Sequence, residues 1–273
     1  MDEKFNDYTD AFTAEDVKTV IEDNFRFLTK TIAPAEQPRV VIFMGGLPGA
    51  GKSRAVKNIK GEYKGNIISV DIDEYREDHP KAKDIYEIGE MPEVKAEEPS
   101  YYSIQTNKFA RRVSRGLIKR LREAGYNVII DGTLRDPRYA IRAARIFKKK
   151  GYAAANVEII ATDKYTAWNG IQERFEDVTR AREKEIAAGK ESEIFPRAVG
   201  REYFNSVVID LVASSSVLYK SREFEQIRIV GRDGKEVYNL AKTPNVDPRG
   251  PLQQSIEGKS PSHIVKEPKI EAK

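Results

Sequence analysis

The chain of 273 residues contains no cysteine, two histidines and one tryptophan, and its charges nearly balance. The absence of cysteine excludes disulfides, thiolate metal sites and cysteine nucleophiles. Lys and Arg number 47 against 43 Asp and Glu, so the net charge of +4 gives little support for a nucleic-acid partner. No apolar run approaches the ~18 residues of a membrane span, and the acidic start MDEKFNDYTD does not resemble a signal peptide. We therefore expect a cytoplasmic protein without a membrane partner.

Short apolar runs alternate with amphipathic stretches along most of the chain. The runs VVIFMG, NIISVD, NVIID and VEIIA, bounded by Gly, Asn and Asp, are typical of buried parallel strands, and the stretches between them are typical of helices. The pattern predicts an α/β fold with a doubly wound, mostly parallel sheet and helices on both faces. The later stretch IRIVGRDGKEVYNL predicts a hairpin that turns at Asp233 and Gly234.

Composition divides the chain into three segments. Residues 1–37 contain a linker and an amphipathic helix, in which Thr13 can accept a hydrogen bond from the backbone N–H of Asp16. Residues 38–240 form the α/β domain. Residues 241–273 are rich in Pro, Lys and Ser, which predicts a disordered tail. Within the domain, residues 78–102 carry three prolines without periodicity, which predicts a long loop.

The stretch GGLPGAGKS at residues 45–53 follows a predicted strand and precedes a predicted helix, and it fits the phosphate-binding motif G-x-x-x-x-G-K-S/T. The backbone N–H groups of such a loop turn towards phosphates, Lys52 reaches the β- and γ-phosphates, and Ser53 ligates Mg²⁺. We therefore expect ATP and Mg²⁺ as cofactors. The predicted nucleotide-binding residues are Gly46, Leu47, Pro48, Gly49, Ala50, Gly51, Lys52 and Ser53.

Other motifs distinguish among the classes of protein that use this loop. The Asn-Lys-x-Asp base reader of a GTPase is absent, and the strand NVIID continues into Gly132 instead of the acidic residue typical of ATP-driven motors. The second strand ends in Asp71 and Asp73, at the sheet edge where open α/β sheets bind ligands. A carboxylate there can accept the proton of an attacking hydroxyl, as in kinases, or cap the following helix. Spacing leaves open which aspartate has which role.

Phosphoryl transfer requires more positive charge than Lys52 and one Mg²⁺ supply. Arg174 lies beside the apolar stripe of a predicted helix, and Arg197 lies in the turn EIFPRAVG before the next helix. Both are candidates to contact phosphates, and simple surface exposure is the alternative for each. His79 is interpreted as a structural residue of the loop and not as a base.

Four stretches, in order GGLPGAGKS, NIISVDIDEYREDHP, GYNVIIDGTLRD and IQERFE with FPRA, make residues 8–240 resemble the zeta toxins. The resemblance implies a P-loop kinase that uses ATP to phosphorylate the sugar 3′-hydroxyl of UDP-N-acetylglucosamine. It also implies an epsilon-type antitoxin partner whose helix blocks the nucleotide site. Asp73, rather than Asp71, is then the general base, and Lys52, Arg174 and Arg197 contact the phosphates.

The resemblance implies contacts to the UDP-sugar from Asp131, Thr133 and Arg135. Asp131 departs from the family pattern, which usually has Glu there, and Arg115 stands where another Glu is common. The charge reversal at Arg115 leaves the identity of the acceptor open. If Arg115 only joins the polar stripe of its helix, the acceptor pocket lacks that carboxylate. One alternative is a P-loop kinase for a nucleoside, a dinucleotide, an antibiotic or a nucleic-acid end. The other is a non-catalytic ATP-binding module that pairs with a protein through the N-terminal helix.

Overall fold

The computed structural model describes residues 7–97 and 100–258. Its strands, in chain order, are β1 (Val40–Gly46), β2 (Ile68–Asp71), β3 (Val128–Asp131), β4 (Ala154–Ala161), β5 (Gln226–Gly231) and β6 (Glu236–Asn239). They form one sheet in the order β2-β3-β1-β4-β5-β6. The pairs from β2 to β5 are parallel, and β5 and β6 are antiparallel. The predicted mostly parallel sheet and the final hairpin are therefore confirmed.

The helices are α1 (Ala14–Thr29), α2 (Lys52–Glu62), α3 (Ala82–Gly89), α4 (Pro92–Glu97), α5 (Tyr101–Glu123), α6 (Pro137–Lys149), α7 (Lys164–Ala187), α8 (Arg201–Ser221) and α9 (Arg249–Glu257). A short 3₁₀ helix, Ile72–Tyr75, follows β2. Right-handed crossovers between parallel strands place α2 on one face of the sheet and α5, α6 and α8 on the other. No helix among residues 7–97 and 100–258 is both long and apolar enough to cross a membrane.

The N-terminal helix α1 begins as the sequence predicts. The Thr13 hydroxyl accepts from the backbone N–H of Asp16 at 3.1 Å, and the Asp16 carboxylate accepts from the backbone N–H of Thr13 at 2.7 Å. The apolar side of α1 packs against α5, where the guanidinium of Arg120 lies 4.3 Å from the ring centre of Phe25. This helix is therefore docked on the α/β domain.

The structure differs from the prediction of a loop at residues 78–102. Helices α3 and α4 lie in this segment, with Ile85, Tyr86 and Val94 buried. These side chains form a second apolar cluster with Tyr102 and Phe195, apart from the main core. Packing against the distant Phe195 stabilises helices that are too short to be stable alone. The sequence pattern therefore does not reveal them.

The tail predicted for residues 241–273 also differs where the structure describes it. Helix α9 lies in this segment, and its Leu252 and Ile256 are buried in the main core beside α8. Two apolar residues four positions apart share one face of a helix, which gives α9 a surface to bury. Residues 259–273 lie outside the described part of the chain.

Candidate active site

The phosphate-binding loop has a backbone that favours glycine. Gly49 has φ +75°, and a Cβ there would lie 2.0 Å from the carbonyl oxygen of Ala167. Gly51 has φ +93° and caps α2 without a side-chain hydrogen bond, and the first turn of α2 contains no acidic residue. The first N–H groups of α2 therefore remain available to an anion, as a phosphate site requires.

Neighbouring residues hold this loop in place. Leu47 and Ala50 are fully buried, so their side chains serve the core. The hydroxyl of Thr162, just after β4, donates to the carbonyl oxygen of Ala50 at 2.9 Å, and Lys52 Nζ donates to the carbonyl oxygen of Leu47 at 3.4 Å. The role of Thr162 is absent from the sequence prediction, although its position directly after a strand beside β1 is a usable signal.

Two carboxylates stand side by side at the ends of neighbouring strands. Asp71 of β2 and Asp131 of β3 are register partners. Asp71 Oδ1 accepts from the backbone N–H of Asp73 at 2.9 Å and so caps the 3₁₀ helix. Burial raises the pKa of Asp71, and the negative charge of Asp73 raises it further. Of the two aspartates that spacing leaves equivalent, Asp71 is therefore the capping residue.

Asp131 has a buried carboxyl group that, in the described part of the chain, lacks a hydrogen-bond partner on one oxygen. Burial raises its pKa to about 6, and the positive charge of Lys52 only partly offsets this. Its Oδ1 atom is buried and has no hydrogen-bond partner among the described residues. This group therefore changes its protonation close to neutral pH.

Asp73 lies in a different electrostatic environment. Its Oδ1 atom is 2.7 Å from Nε of Arg76 and 3.5 Å from Nη1 of Arg197. Burial acts to raise the pKa of Asp73, but the charges of Arg76 and Arg197 outweigh it and hold this pKa below its ordinary value. The side chain nevertheless remains 43% exposed. Asp73 is therefore an ionised carboxylate that a substrate can reach.

Two of the predicted catalytic residues, Arg197 and Arg174, act on this carboxylate. Arg197 also donates to the backbone carbonyl of Asp73 at 3.1 Å across 124 residues of sequence. Arg174 is exposed on α7, and its charge contributes to the lowered pKa of Asp73. The charge of Lys52 acts on the neighbouring carboxyls Asp71 and Asp131. The site therefore concentrates positive charge beside one ionised carboxylate.

The turn before Arg197 is anchored by an aromatic cluster. The ring of Phe195 lies 5.2 Å from that of Tyr86 and 5.6 Å from that of Tyr102, measured between centres. Arg182 of α7 stacks over Tyr86 at 4.6 Å and donates to the carbonyl oxygens of residues 192 and 194. These contacts fix the segment that carries Arg197.

The predicted contacts to a UDP-sugar lie in the loop after β3. Thr133 is half-buried there. The guanidinium of Arg135 contacts α8, where its Nη2 atom lies 2.9 Å from Asp210 Oδ2 and its Cζ atom lies 5.3 Å from the ring centre of Tyr203. Asp131 and Thr133 thus lie at the carboxyl edge of the sheet, whereas Arg135 is bound to a neighbouring helix.

Two residues singled out in the sequence, Arg115 and His79, have positions that fit a structural role. Arg115 is exposed on α5, and the opposite side of that helix buries Ala110, Val113, Leu117 and Leu121. His79 is 3% exposed, and its ring packs edge-on against Phe12 and Phe109. Burial lowers the pKa of His79. His79 therefore packs between α5 and the segment just before α1.

Comparisons with known proteins agree with this architecture. The family model described as zeta toxin matches residues 24–243. "Toxin zeta" of Streptococcus agalactiae is 27% identical over 91% of this chain and 79% of that protein. "Toxin PezT" of Streptococcus pneumoniae is 28% identical over 86% of this chain and 83% of that protein. A solved structure from the PezAT chromosomal toxin–antitoxin system of Streptococcus pneumoniae has a TM-score of 0.69 and 26% identity, covering 93% of this chain and 91% of that one.

The family model spans more than half of the chain, and the sheet, the phosphate-binding loop and the order of the strands fit a P-loop kinase-like fold. The chain therefore belongs to the zeta toxin family, whose members are kinase-like phosphotransferases.

Proposed function

We propose that this protein transfers the γ-phosphoryl group of ATP to a sugar hydroxyl of UDP-N-acetylglucosamine. The proposal rests chiefly on Asp73, an ionised and accessible carboxylate that Arg76 and Arg197 hold just after β2, next to carboxyl groups on which Lys52 of the phosphate-binding loop acts. Asp73 accepts the proton of the acceptor hydroxyl while the hydroxyl oxygen bonds to the γ-phosphorus and the bond from that phosphorus to ADP breaks. Membership of the zeta toxin family supports this reaction class.

The residues of the loop fit a nucleotide with Mg²⁺. Gly49 and Gly51 both have a positive φ, which suits the tight turn of a phosphate-binding loop, and the first turn of α2 has no acidic side chain to repel phosphate. Lys52 would bind the β- and γ-phosphates, and Ser53, exposed in the first turn, would ligate Mg²⁺. Mg²⁺ would neutralise charge between the two phosphates.

The positive side chains around Asp73 would act on the transferred group. Arg174 and Arg197 would stabilise the charge that spreads over the γ-phosphoryl oxygens in the transition state. Asp131 and Thr133 would contact the sugar nucleotide, and Arg135 would do so after exchanging its ion pair with Asp210. A small antitoxin protein that covers the nucleotide site is the proposed partner, supported by the likeness to a member of a toxin–antitoxin system. The proposed compartment is the cytoplasm.

A second acceptor has one specific observation in its favour. The guanidinium of Arg135, an expected contact to the UDP-sugar, is held by Asp210 and Tyr203. A pocket whose arginine is already paired would suit a different acceptor hydroxyl. The same phosphate-binding loop and the same base would then serve another small molecule.

The test compares the parent with Asp73→Asn in the presence of ATP and Mg²⁺, with Asp84→Asn, an exposed helix position, as the matched control. UDP-N-acetylglucosamine and a metabolite extract are offered separately, and products are identified by mass spectrometry. We expect a phosphorylated sugar nucleotide from the parent and the control, about 10²- to 10⁴-fold less from Asp73→Asn, and unchanged ATP affinity.

Each other outcome has a definite meaning. Undiminished transfer by Asp73→Asn would remove Asp73 as the base. A product from the extract alone would favour the second acceptor. ATP binding without any product would favour a non-catalytic ATP-binding module.

A further inference from the structure

Arg76 is the most extensively bonded guanidinium beside the candidate base. It is 8% exposed and contacts Asp73 through Nε at 2.7 Å. Its Nη1 atom donates to the carbonyl oxygen of Ser103 at 2.6 Å and to Thr106 Oγ1 at 3.2 Å, and Nη2 donates to Asn107 Oδ1 at 3.4 Å. All three of these acceptors belong to α5, so one end of the guanidinium is bound to a long helix and the other holds the carboxylate.

The contacts to Asp73 are not shared between its two oxygens. Arg76 binds Oδ1, and the closest approach of Arg197 is also to Oδ1. In the described part of the chain, the side-chain hydrogen bond to this carboxylate ends on Oδ1, and the nearest approach of each arginine is to the same atom. Because both oxygens share the negative charge of an ionised carboxylate, Oδ2 keeps its basicity and its lone pairs while Oδ1 is fixed.

We propose that Arg76 is the positioning residue for the general base: it anchors Asp73 Oδ1 to α5 and leaves Oδ2 to receive the proton of the acceptor hydroxyl. This inference rests on the proposed kinase function. Among residues 7–97 and 100–258, the contacts of Arg76 are with Asp73 and α5 and not with the nucleotide loop, so its effect on the reaction would pass through Asp73. Only a fork of several N–H groups can bind the carboxylate and three acceptors on α5 together, which explains why an arginine suits this position.

Several other charged groups lie around Asp73 and also influence its ionisation. Its own segment contributes Asp71 and Arg76, β3 contributes Asp131, α7 contributes Arg174, and the turn before α8 contributes Arg197. The buried hydroxyl of Tyr102 in α5 is influenced by the charges of the same two arginines, Arg76 and Arg197. Removal of Arg76 would leave Arg197 as the remaining direct contact, at the longer distance of 3.5 Å.

The experiment measures phosphoryl transfer by the full chain over a range of pH, with the acceptor that the parent phosphorylates. For Arg76→Met we expect kcat to fall about 100-fold, because the base is no longer held in place. The acid limb of kcat/KM should move up by about 1 pH unit or more, because a carboxylate that loses a cationic partner gains a proton more easily. The KM for ATP should change less than about threefold, because Arg76 does not contact the nucleotide loop.

Two further variants separate positioning from folding. Arg76→Lys keeps the charge without the fork, so its acid limb should match the parent while kcat falls about 10-fold. Arg142→Met removes an arginine that is exposed on α6, so it should match the parent in every respect. If Arg76→Met does not fold, judged by thermal unfolding, Asn107→Ala replaces it and should lower kcat in the same direction by less.

The outcomes distinguish this inference from the proposed function. If the parent transfers phosphate but Arg76→Met, or its replacement Asn107→Ala, keeps the kcat and the acid limb of the parent, Arg76 does not position the base. A lower yield of folded protein with an unchanged acid limb would indicate a purely structural residue and would also overturn the inference. Absence of transfer by the parent itself would refute the kinase function on which the inference rests.

Discussion

The buried carboxyl group of Asp131 leads to a prediction about stability that requires no substrate. Its pKa is about 6 in the folded protein, against an ordinary value of 3.8, chiefly because burial disfavours the charged form. The difference between these two values, about 2, corresponds to roughly 3 kcal/mol of folding free energy. Asp131→Asn removes the ionisation and keeps nearly the same shape, so it should recover most of that free energy.

The sign and the pH range follow from the same two values. Below pH 3.8 both states of the chain hold the proton, and the carboxyl group costs no stability. Between pH 3.8 and about 6 the unfolded chain releases the proton and the folded chain keeps it, so the stability of the parent falls as pH rises. Above about pH 6 the cost is constant. The advantage of Asp131→Asn should therefore be near zero at about pH 4 and reach roughly 2 to 3 kcal/mol at about pH 7 to 8.

The assay is urea unfolding of both proteins without nucleotide, from about pH 4 to about pH 8, with the slope on urea compared to ensure that one transition is measured. Asp23→Asn is the matched control, because the side chain of Asp23 is 63% exposed on α1, and it should show no such pH-dependent gain. Equal stability differences at both ends of the pH range would refute the reasoning, as would a variant less stable than the parent at pH 8.

Two other substitutions test the loop and the aromatic cluster. Gly49→Ala places a Cβ 2.0 Å from the carbonyl oxygen of Ala167, so calorimetry should show loss of ATP binding. The control is Gly61→Ala in α2, where a Cβ would meet open space, and this variant should gain about 0.5 to 1 kcal/mol of stability. Tight ATP binding by Gly49→Ala would contradict the role of the turn. Phe195→Ala removes the ring that packs against two tyrosines, so kcat should fall about 10-fold while ATP affinity stays unchanged, because Arg197 is no longer held. A parent-like kcat would show that this cluster does not position Arg197.

Local sequence is sufficient for the parts of the molecule whose chemistry depends on neighbouring residues. The phosphate-binding loop is predictable because its glycines, Lys52 and Ser53 act within one strand-to-helix turn. The parallel sheet is predictable because its strands are short and rich in apolar, often β-branched residues, most clearly in β1. The helices α3, α4 and α9 are not, because they are short and depend on partners elsewhere in the chain, such as Phe195 for the first two.

The assignment of the base shows where spacing stops being informative. Asp71 and Asp73 are equivalent in an alternating strand pattern, and the difference between them arises from what each contacts. Asp71 caps the next turn, whereas Asp73 meets Arg197 across 124 positions of sequence. Arg135 likewise meets Asp210 across 75 positions, which no local motif indicates.

The amino-acid pattern therefore sets the fold class, the phosphate site and the list of candidate charged residues, because these depend on residue type and short-range order. The protonation of those residues depends on the fold. Burial raises the pKa of Asp71 and Asp131, whereas the charges of Arg76 and of the distant Arg197 lower that of Asp73. Coulomb energies depend on separation in space and on exclusion of water, and chain folding sets both. Three aspartates of one chemical type thus acquire different roles at one edge of the sheet.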